Sequence, residues 1–112
     1  MNNFNYSQEL VSAAEQGDAA AQFALGSCYQ FGYGIEKDYA KAAQWYEAAA
    51  KQGVPDAQFN LAKLYEVGFG VEMNKEKAIE WHTKAAEQGY ALSKQSLRHL
   101  QGKGLFGLFK KK

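Results

Sequence analysis

The tetrapeptides AEQG at 14–17, AKQG at 50–53 and AEQG at 86–89 recur at a spacing of 36 residues. Sliding residues 14–49 onto 50–85 needs no gap and gives 15 identities in 36 positions. A fixed period of this length is the mark of a repeat array, in which one supersecondary unit cannot bury its apolar face alone and stacks on its neighbours. The identities Ala21/Ala57, Gln22/Gln58, Phe23/Phe59, Leu25/Leu61, Tyr29/Tyr65, Gly32/Gly68, Gly34/Gly70, Ala42/Ala78, Trp45/Trp81 and Ala49/Ala85 fall where a helical hairpin needs them.

Each unit reads as two helices. Near 56–67, Ala57, Leu61, Leu64 and Tyr65 recur at helical spacing on one face. Pro55 suits a first turn, where a missing N–H costs nothing, and Gly68 suits a left-handed C-terminal cap. Near 75–88, Ala78, Trp81, His82, Ala85 and Ala86 make the apolar stripe, Asn74 is the N-cap as Asp38 is one unit earlier, and Gly89 ends the helix. The N-terminal segment fits a lone second helix, with Tyr6, Leu10, Ala13 and Ala14 in the slots of Ala42, Tyr46, Ala49 and Ala50. The chain therefore divides, as one domain over 1–112, into a capping helix 6–16, hairpins 18–51 and 55–88, a half repeat 91–101, and a basic apolar tail 102–112. A single proline among 112 residues agrees with long uninterrupted helices. Leu25, Tyr29, Gly32, Gly34, Trp45, Leu61, Tyr65, Gly68, Gly70 and Trp81 are the expected structural positions, with the tryptophans filling space between helix pairs.

The phrase DAQFNLAKLYEVGFGVEMNKEKAIEWHTKAAEQG resembles the Sel-one-like repeat, a relative of the tetratricopeptide repeat, through Ala57, Leu61, Tyr65, Gly68, Gly70, Val71, Ala78, Trp81, Ala85, Ala86 and Gly89. The resemblance covers about residues 14–100, two full copies and part of a third. It implies an all-α, right-handed solenoid of stacked antiparallel helix pairs, and protein–protein recognition in adaptor, scaffold, bacterial signalling or host-interaction roles. Ala62 departs from the glycine that the family has and that Gly26 retains. Some secreted relatives staple each repeat with a cysteine pair; the lone Cys28 excludes that subclass.

Charge is unevenly placed. Residues 1–92 hold all 12 acids and 7 bases, a net of −5, whereas residues 93–112 hold 6 bases and no acid, a net of +6. An acidic body with a basic tail is a poor match to a nucleic-acid binder, which is basic over a folded face. The N-terminal stretch has no Lys or Arg before Lys37 and no long apolar run, so it does not read as a signal peptide, and no stretch approaches a membrane span. A cytoplasmic location is expected.

Catalytic and metal chemistry find little support. Gly32-Tyr33-Gly34 and Gly68-Phe69-Gly70 lack the preceding strand and the following Lys-Ser/Thr of a phosphate loop, and they repeat at 36 as turns do. His82 takes the slot of Tyr46, a packing site with a polar tip. His99 lies on the last helix. Two histidines and one cysteine without ligand spacing make no metal site, and no cofactor is expected. Cys28 takes the slot of Leu64 and reads as a small apolar residue. A hydrolase built on Cys28 or His82 is the remote alternative.

Positions that neither repeat nor face the core are the binding candidates. On the first helices they form the columns Ala24/Asn60/Ser96, Ser27/Lys63/His99 and Phe31/Val67/Lys103. In tetratricopeptide-like solenoids the first helices line the concave side, so these columns would form a groove suited to a peptide or a helix. The expected function is non-enzymatic protein binding; a dedicated immunity-type protein that neutralises one toxin is the alternative. Phe23 and Phe59 are expected to pack. The tail, with Leu105, Phe106, Leu108 and Phe109 ahead of three lysines, is expected to fold back as an end cap, and contact of Leu105–Lys112 with an anionic membrane is the second reading. Oligomeric state is left open by the sequence.

Overall fold

The computed structural model describes the backbone of residues 5–110 and the side chains of residues 5–102. Six helices follow one another: α1 (Gln8–Glu15), α2 (Ala19–Phe31), α3 (Tyr39–Lys51), α4 (Pro55–Val67), α5 (Lys75–Glu87) and α6 (Ala91–Lys110). There is no strand among the described residues. Each helix packs on the one before and the one after, most extensively within the pairs α2–α3 and α4–α5, as in an α-solenoid of stacked hairpins.

The ends of the helices follow from their sequences. The side chains of Ser7, Asp18, Asp38 and Asn74 accept bonds from the backbone N–H groups of Leu10, Ala21, Lys41 and Lys77, which the first turn of a helix leaves unpaired. At α4 the side-chain cap is absent and Pro55 supplies the preformed first turn. Gly32 and Gly68 close α2 and α4 in the left-handed conformation, at φ 75° and 77°. Two residues later the demand is steric: a Cβ on Gly70 would lie 2.3 Å from the carbonyl oxygen of Tyr39, so only glycine lets this turn reach the preceding unit.

The core is mostly alanine and leucine. Ala42, Ala43, Tyr46, Ala49, Ala50, Ala57, Leu61 and Leu64 form the central cluster, and Ala14, Ala21 and Leu25 form a second one beside α1. Small side chains let the axes approach, and Tyr46 is the largest fully buried residue. Trp45 and Trp81 are only partly buried, packed against the two clusters at their edges. Phe23 and Phe59 are half-buried packing residues, as expected: their rings lie 5.8 Å from Tyr46 and 5.4 Å from His82.

A chain of side-chain amides ties one unit to the next. Gln22 Nε2 donates to the carbonyl of Ala14 at 3.1 Å, and Gln58 Nε2 to that of Ala50 at 3.0 Å. Gln52 Nε2 then donates to Gly17 O and to Gln22 Oε1, both at 2.9 Å, and Gln88 Nε2 repeats this on Gly53 O and Gln58 Oε1 at 2.8 and 3.1 Å. The buried amides Gln22 and Gln58 thus use both ends, as a buried polar group must.

Two boundaries differ from the sequence expectation. The first helix begins at Gln8 because the Ser7 side chain caps it, and Tyr6 lies ahead of it, its N–H donating to Tyr33 O at 2.9 Å. The last helix does not stop at 101 but runs to Lys110 through Gly102, Gly104 and Gly107. Glycine costs a helix about 1 kcal/mol relative to alanine, yet keeps its N–H in the ladder, so without proline the helix continues. The expected contacts of the Leu105–Lys112 side chains lie outside the described residues.

Candidate functional site

The candidate groove residues separate into two kinds. Ser27, Ala24, Asn60 and Ser96 are only partly exposed, whereas Phe31, Lys63, Val67 and His99 are exposed. Ser27 and Asn60 are turned to internal use. Tyr46 Oη donates to Gln30 Oε1 at 2.6 Å and lies 3.2 Å from Ser27 Oγ, which is left to donate to it. Burial pushes the Tyr46 phenol above its usual pKa, and hydrogen bonds from Ser27 and Asn60 offset part of that rise. This buried phenol therefore stays neutral and works as a tie between α2, α3 and α4.

One unit on, the same place holds different chemistry. His82 is fully buried; its Nε2 lies 2.6 Å from Glu66 Oε2 and its Nδ1 3.1 Å from Ser93 Oγ. Glu66 Oε1 also accepts from Lys63 Nζ at 3.3 Å, a pair exposed enough to contribute little. A carboxylate only accepts, so Nε2 carries the proton and Ser93 donates to Nδ1. Burial pulls the His82 pKa below its ordinary value, and the hydrogen bond and charge of Glu66 oppose that pull. Serine, imidazole and carboxylate in this order have the connectivity of a nucleophile, its base and an orienting acid. However, Ser93 and His82 are both 0% exposed, which leaves no path for a substrate. Cys28 is equally buried, and burial raises its thiol pKa, which disfavours the reactive thiolate. Among the described residues, no group of three His, Cys, Asp or Glu side chains is placed to hold a metal ion.

The exposed apolar surface is concentrated elsewhere than the groove centre. Phe31 (52%), Tyr33 (45%), Val67 (48%), Phe69 (48%) and Met73 (65%) all lie at the ends of the first helices or in the turns that follow. They come in register across the units, Phe31 with Val67 and Tyr33 with Phe69. The Phe31 and Tyr33 rings are 5.5 Å apart, and Phe69 rests on Tyr39 of the preceding unit at 5.0 Å. Exposed apolar side chains gathered along one edge mark an interaction surface more than singly scattered ones do. The sequence columns reached Phe31 and Val67 but stopped there. Tyr33 and Phe69 were legible only as members of the glycine turns, although their shared register was a usable signal; Met73, whose counterpart is Lys37, carried no such signal. A shallow cavity of about 340 Å³ beside Tyr29, Ile35 and Lys41 is bordered by Glu36, Lys37 and Asp38, opposed charges that select no ligand.

Comparison with known proteins matches the Sel1 repeat family to residues 19–54 and 55–90. No curated protein sequence gives a match. Among solved structures, the chain is similar to a Sel1 repeat protein from Oxalobacter formigenes, at 38% identity and a TM-score of 0.77 over 86% of this chain and 45% of that one. It is similar to a protective antigen with an SLR fold from uropathogenic Escherichia coli, at 41% identity and a TM-score of 0.82 over 85% of this chain and 20% of that one. It is also similar to Helicobacter pylori cysteine rich protein B, at 30% identity and a TM-score of 0.76 over 80% and 68%. The chain thus spans less than half the length of the first two.

Proposed function

Because the chain belongs to the Sel1 repeat family, whose members are generally protein-interaction modules, we propose that it is a non-enzymatic adaptor that binds a protein or peptide partner along its first helices. The observation that supports this reading is the repeated apolar edge, Phe31 and Tyr33 in one unit and Val67 and Phe69 in the next, left exposed by the fold. Large apolar side chains in water cost solvation unless a partner covers them, and aromatic anchors contribute most to such contacts. Lys63 and His99 add polar contacts at the same face. Ala24, Ser27, Asn60 and Ser96 define the groove floor, where their role is shape, since Ser27 and Asn60 already serve Tyr46. Among the described residues no helix is long and apolar enough to cross a membrane; a cytoplasmic location is part of the proposal.

The test is affinity capture from the native host with the wild-type chain, Phe31→Ser and Val67→Asp. Both positions are exposed, so circular dichroism and melting should stay unchanged. A partner held by the wild type and lost by both variants supports the reading. A partner held equally by all three places recognition off this edge.

A further inference from the structure

The helix α6 takes the place of α2 and α4 one unit on, yet little of what fastens those helices is repeated in it. Asp18 caps α2 and Pro55 opens α4, whereas Tyr90 precedes α6 and the first turn of α6 holds no acid. Gln22 and Gln58 reach back to the helix before them; their slot in α6 holds Lys94, which is exposed. Leu25, Leu61, Cys28 and Leu64 are buried, while their counterparts Leu97 and Leu100 are only partly so, and neither core cluster includes a described residue of α6. Elements with few buried apolar contacts are the ones that open locally. What α6 does insert is Ser93, fully buried in the slot where Ala21 and Ala57 pack. Its hydroxyl donates to His82 Nδ1 at 3.1 Å, while Nε2 donates to Glu66 Oε2 at 2.6 Å, so a titratable ring is held between α4 and α6.

We propose that His82 is a proton-operated latch on α6, whose protonation frees this last helix from α5 while the units before it stay folded. The elements packed on α5 are α4 and α6. Burial opposes charge on the ring; of the charged groups that act on it, Glu66 favours protonation and Lys63 opposes it, both from α4. From α6 the ring meets the neutral Ser93, and Lys94, Arg98 and His99 are exposed, as are all the other charged side chains of α5 itself. Tyr90 rests on Phe59, and burial raises its phenol pKa, so it stays neutral. A proton on Nδ1 makes both ring nitrogens donors, so the Ser93 hydroxyl has to turn its own proton off the ring, and a cation is left in a dry site. Undocking α6 wets the ring and keeps Glu66 beside it, so the open form holds the proton better than either the closed form or the unfolded chain. By linkage, opening is promoted as pH falls through the imidazole range, about 6.5, and is unchanged well above it. The seam between α3 and α4 lacks this response, because Tyr46 in the slot of His82 has a phenol that burial keeps neutral throughout the range.

Hydrogen exchange of the full chain, read by mass spectrometry at pH 7.5 and 5.5 and corrected for intrinsic rates, follows each helix separately. Protection of the amides in 93–102 is expected to fall as pH is lowered, by up to about tenfold per pH unit, the limit for one proton, and more steeply than that of 57–66. At pH 5.5 the exchange of 93–102 should hardly respond to dilute urea, the mark of a local opening, whereas that of 57–66 should quicken with it. Glu66→Gln should move the onset of the loss to lower pH, since it removes the charge that favours the proton, a shift that a merely structural bond would not give. His99→Gln, which removes the other histidine and leaves the latch, should keep the loss in place. The combined replacement Ala62→Gly, Glu66→Gln, His82→Tyr, Ser93→Ala should abolish it, with melting curves to confirm the fold. Protection of 93–102 that ignores pH overturns the proposal. So does exchange of 93–102 that tracks 57–66 in rate and urea dependence, which makes the opening global, and so does a loss that disappears in His99→Gln.

Discussion

Glu66 Oε2 lies 2.6 Å from His82 Nε2, where the preceding unit places Gln30 Oε1 2.6 Å from Tyr46 Oη. Two chemistries thus solve one architectural need, a polar link between the first and second helix of a unit. The exchange extends further. Ser93, which gives Nδ1 its partner, stands where the earlier unit has Ala57, since a phenol has no second ring nitrogen to satisfy. Ala62 stands where Gly26 lies against the Tyr46 ring. The four differences form one set.

The set makes stability depend on pH. The folded His82 has a pKa below its unfolded value, so below about 6.5 the unfolded chain binds more protons than the native one. Stability should therefore hold above that pH and decline as pH falls through the window beneath it, with a slope of at most about 1.4 kcal/mol per pH unit from this site. The combined replacement Ala62→Gly, Glu66→Gln, His82→Tyr, Ser93→Ala imports the earlier unit's solution, including the glycine against the ring, and should flatten the decline. Urea melts at pH 5, 6 and 7 read both.

Gly26→Ala should destabilise. The new methyl would meet Tyr46 Cδ1 at 2.7 Å and Cε1 at 2.8 Å, and the ring is fully buried. Overpacking of this kind costs about 1–3 kcal/mol, against a gain in helix propensity of about 1 kcal/mol. In the Tyr46→His background the smaller ring should relieve the clash, giving a coupling of about 1 kcal/mol in a double-mutant cycle.

Glycines with the same sign of φ should differ sharply. Gly89, at φ 88°, has nothing within 4 Å of an added Cβ, so Gly89→Ala carries only the left-handed penalty of about 1–2 kcal/mol. Gly70→Ala adds a contact of 2.3 Å with a backbone carbonyl and should cost several times more, or displace the whole turn. Calorimetric melting points should rank the two in that order.

Gln58→Leu should cost about 1–3 kcal/mol although the shape is nearly kept. It leaves the Ala50 carbonyl without its partner in a buried setting, while the proton that the exposed Gln88 gave to Gln58 turns to water. A loss confined to a few tenths of a kcal/mol would mean that water replaces the amide.

The hairpins were legible because their signals are local and occur twice. Asp38, Asn74, Pro55 and Gly68 announce helix ends by residue type, and the 36-residue register aligns Leu25 with Leu61 without any knowledge of contacts. The polar links were less legible. Ser27 and Asn60 read as groove residues because a helical projection shows direction around one axis, not which neighbouring helix a side chain reaches. The tryptophans read as the main anchors on volume, whereas Tyr46, whose hydroxyl finds Gln30, takes the deepest place. The length of α6 was missed because three glycines suggest a break, yet each retains its backbone donor.

The amide ties between units have a consequence for how such a gene can change. Each of the two full units brings one glutamine that reaches back and one that is reached, at the same offsets. A recombination event that joins equivalent positions of two units therefore yields a longer or shorter chain in which each amide meets the partner it had before. Unequal crossing-over thus becomes a tolerated kind of mutation, with one reservation. A crossover falling between position 26 and position 57, or their equivalents, would split the set, pairing Gln30 with His82, Glu66 with Tyr46, Ala62 with Tyr46, or His82 with Ala57. The viable exchange points in this coding sequence are those that keep 26–57, or 62–93, whole, which leaves the first turns of the first helices.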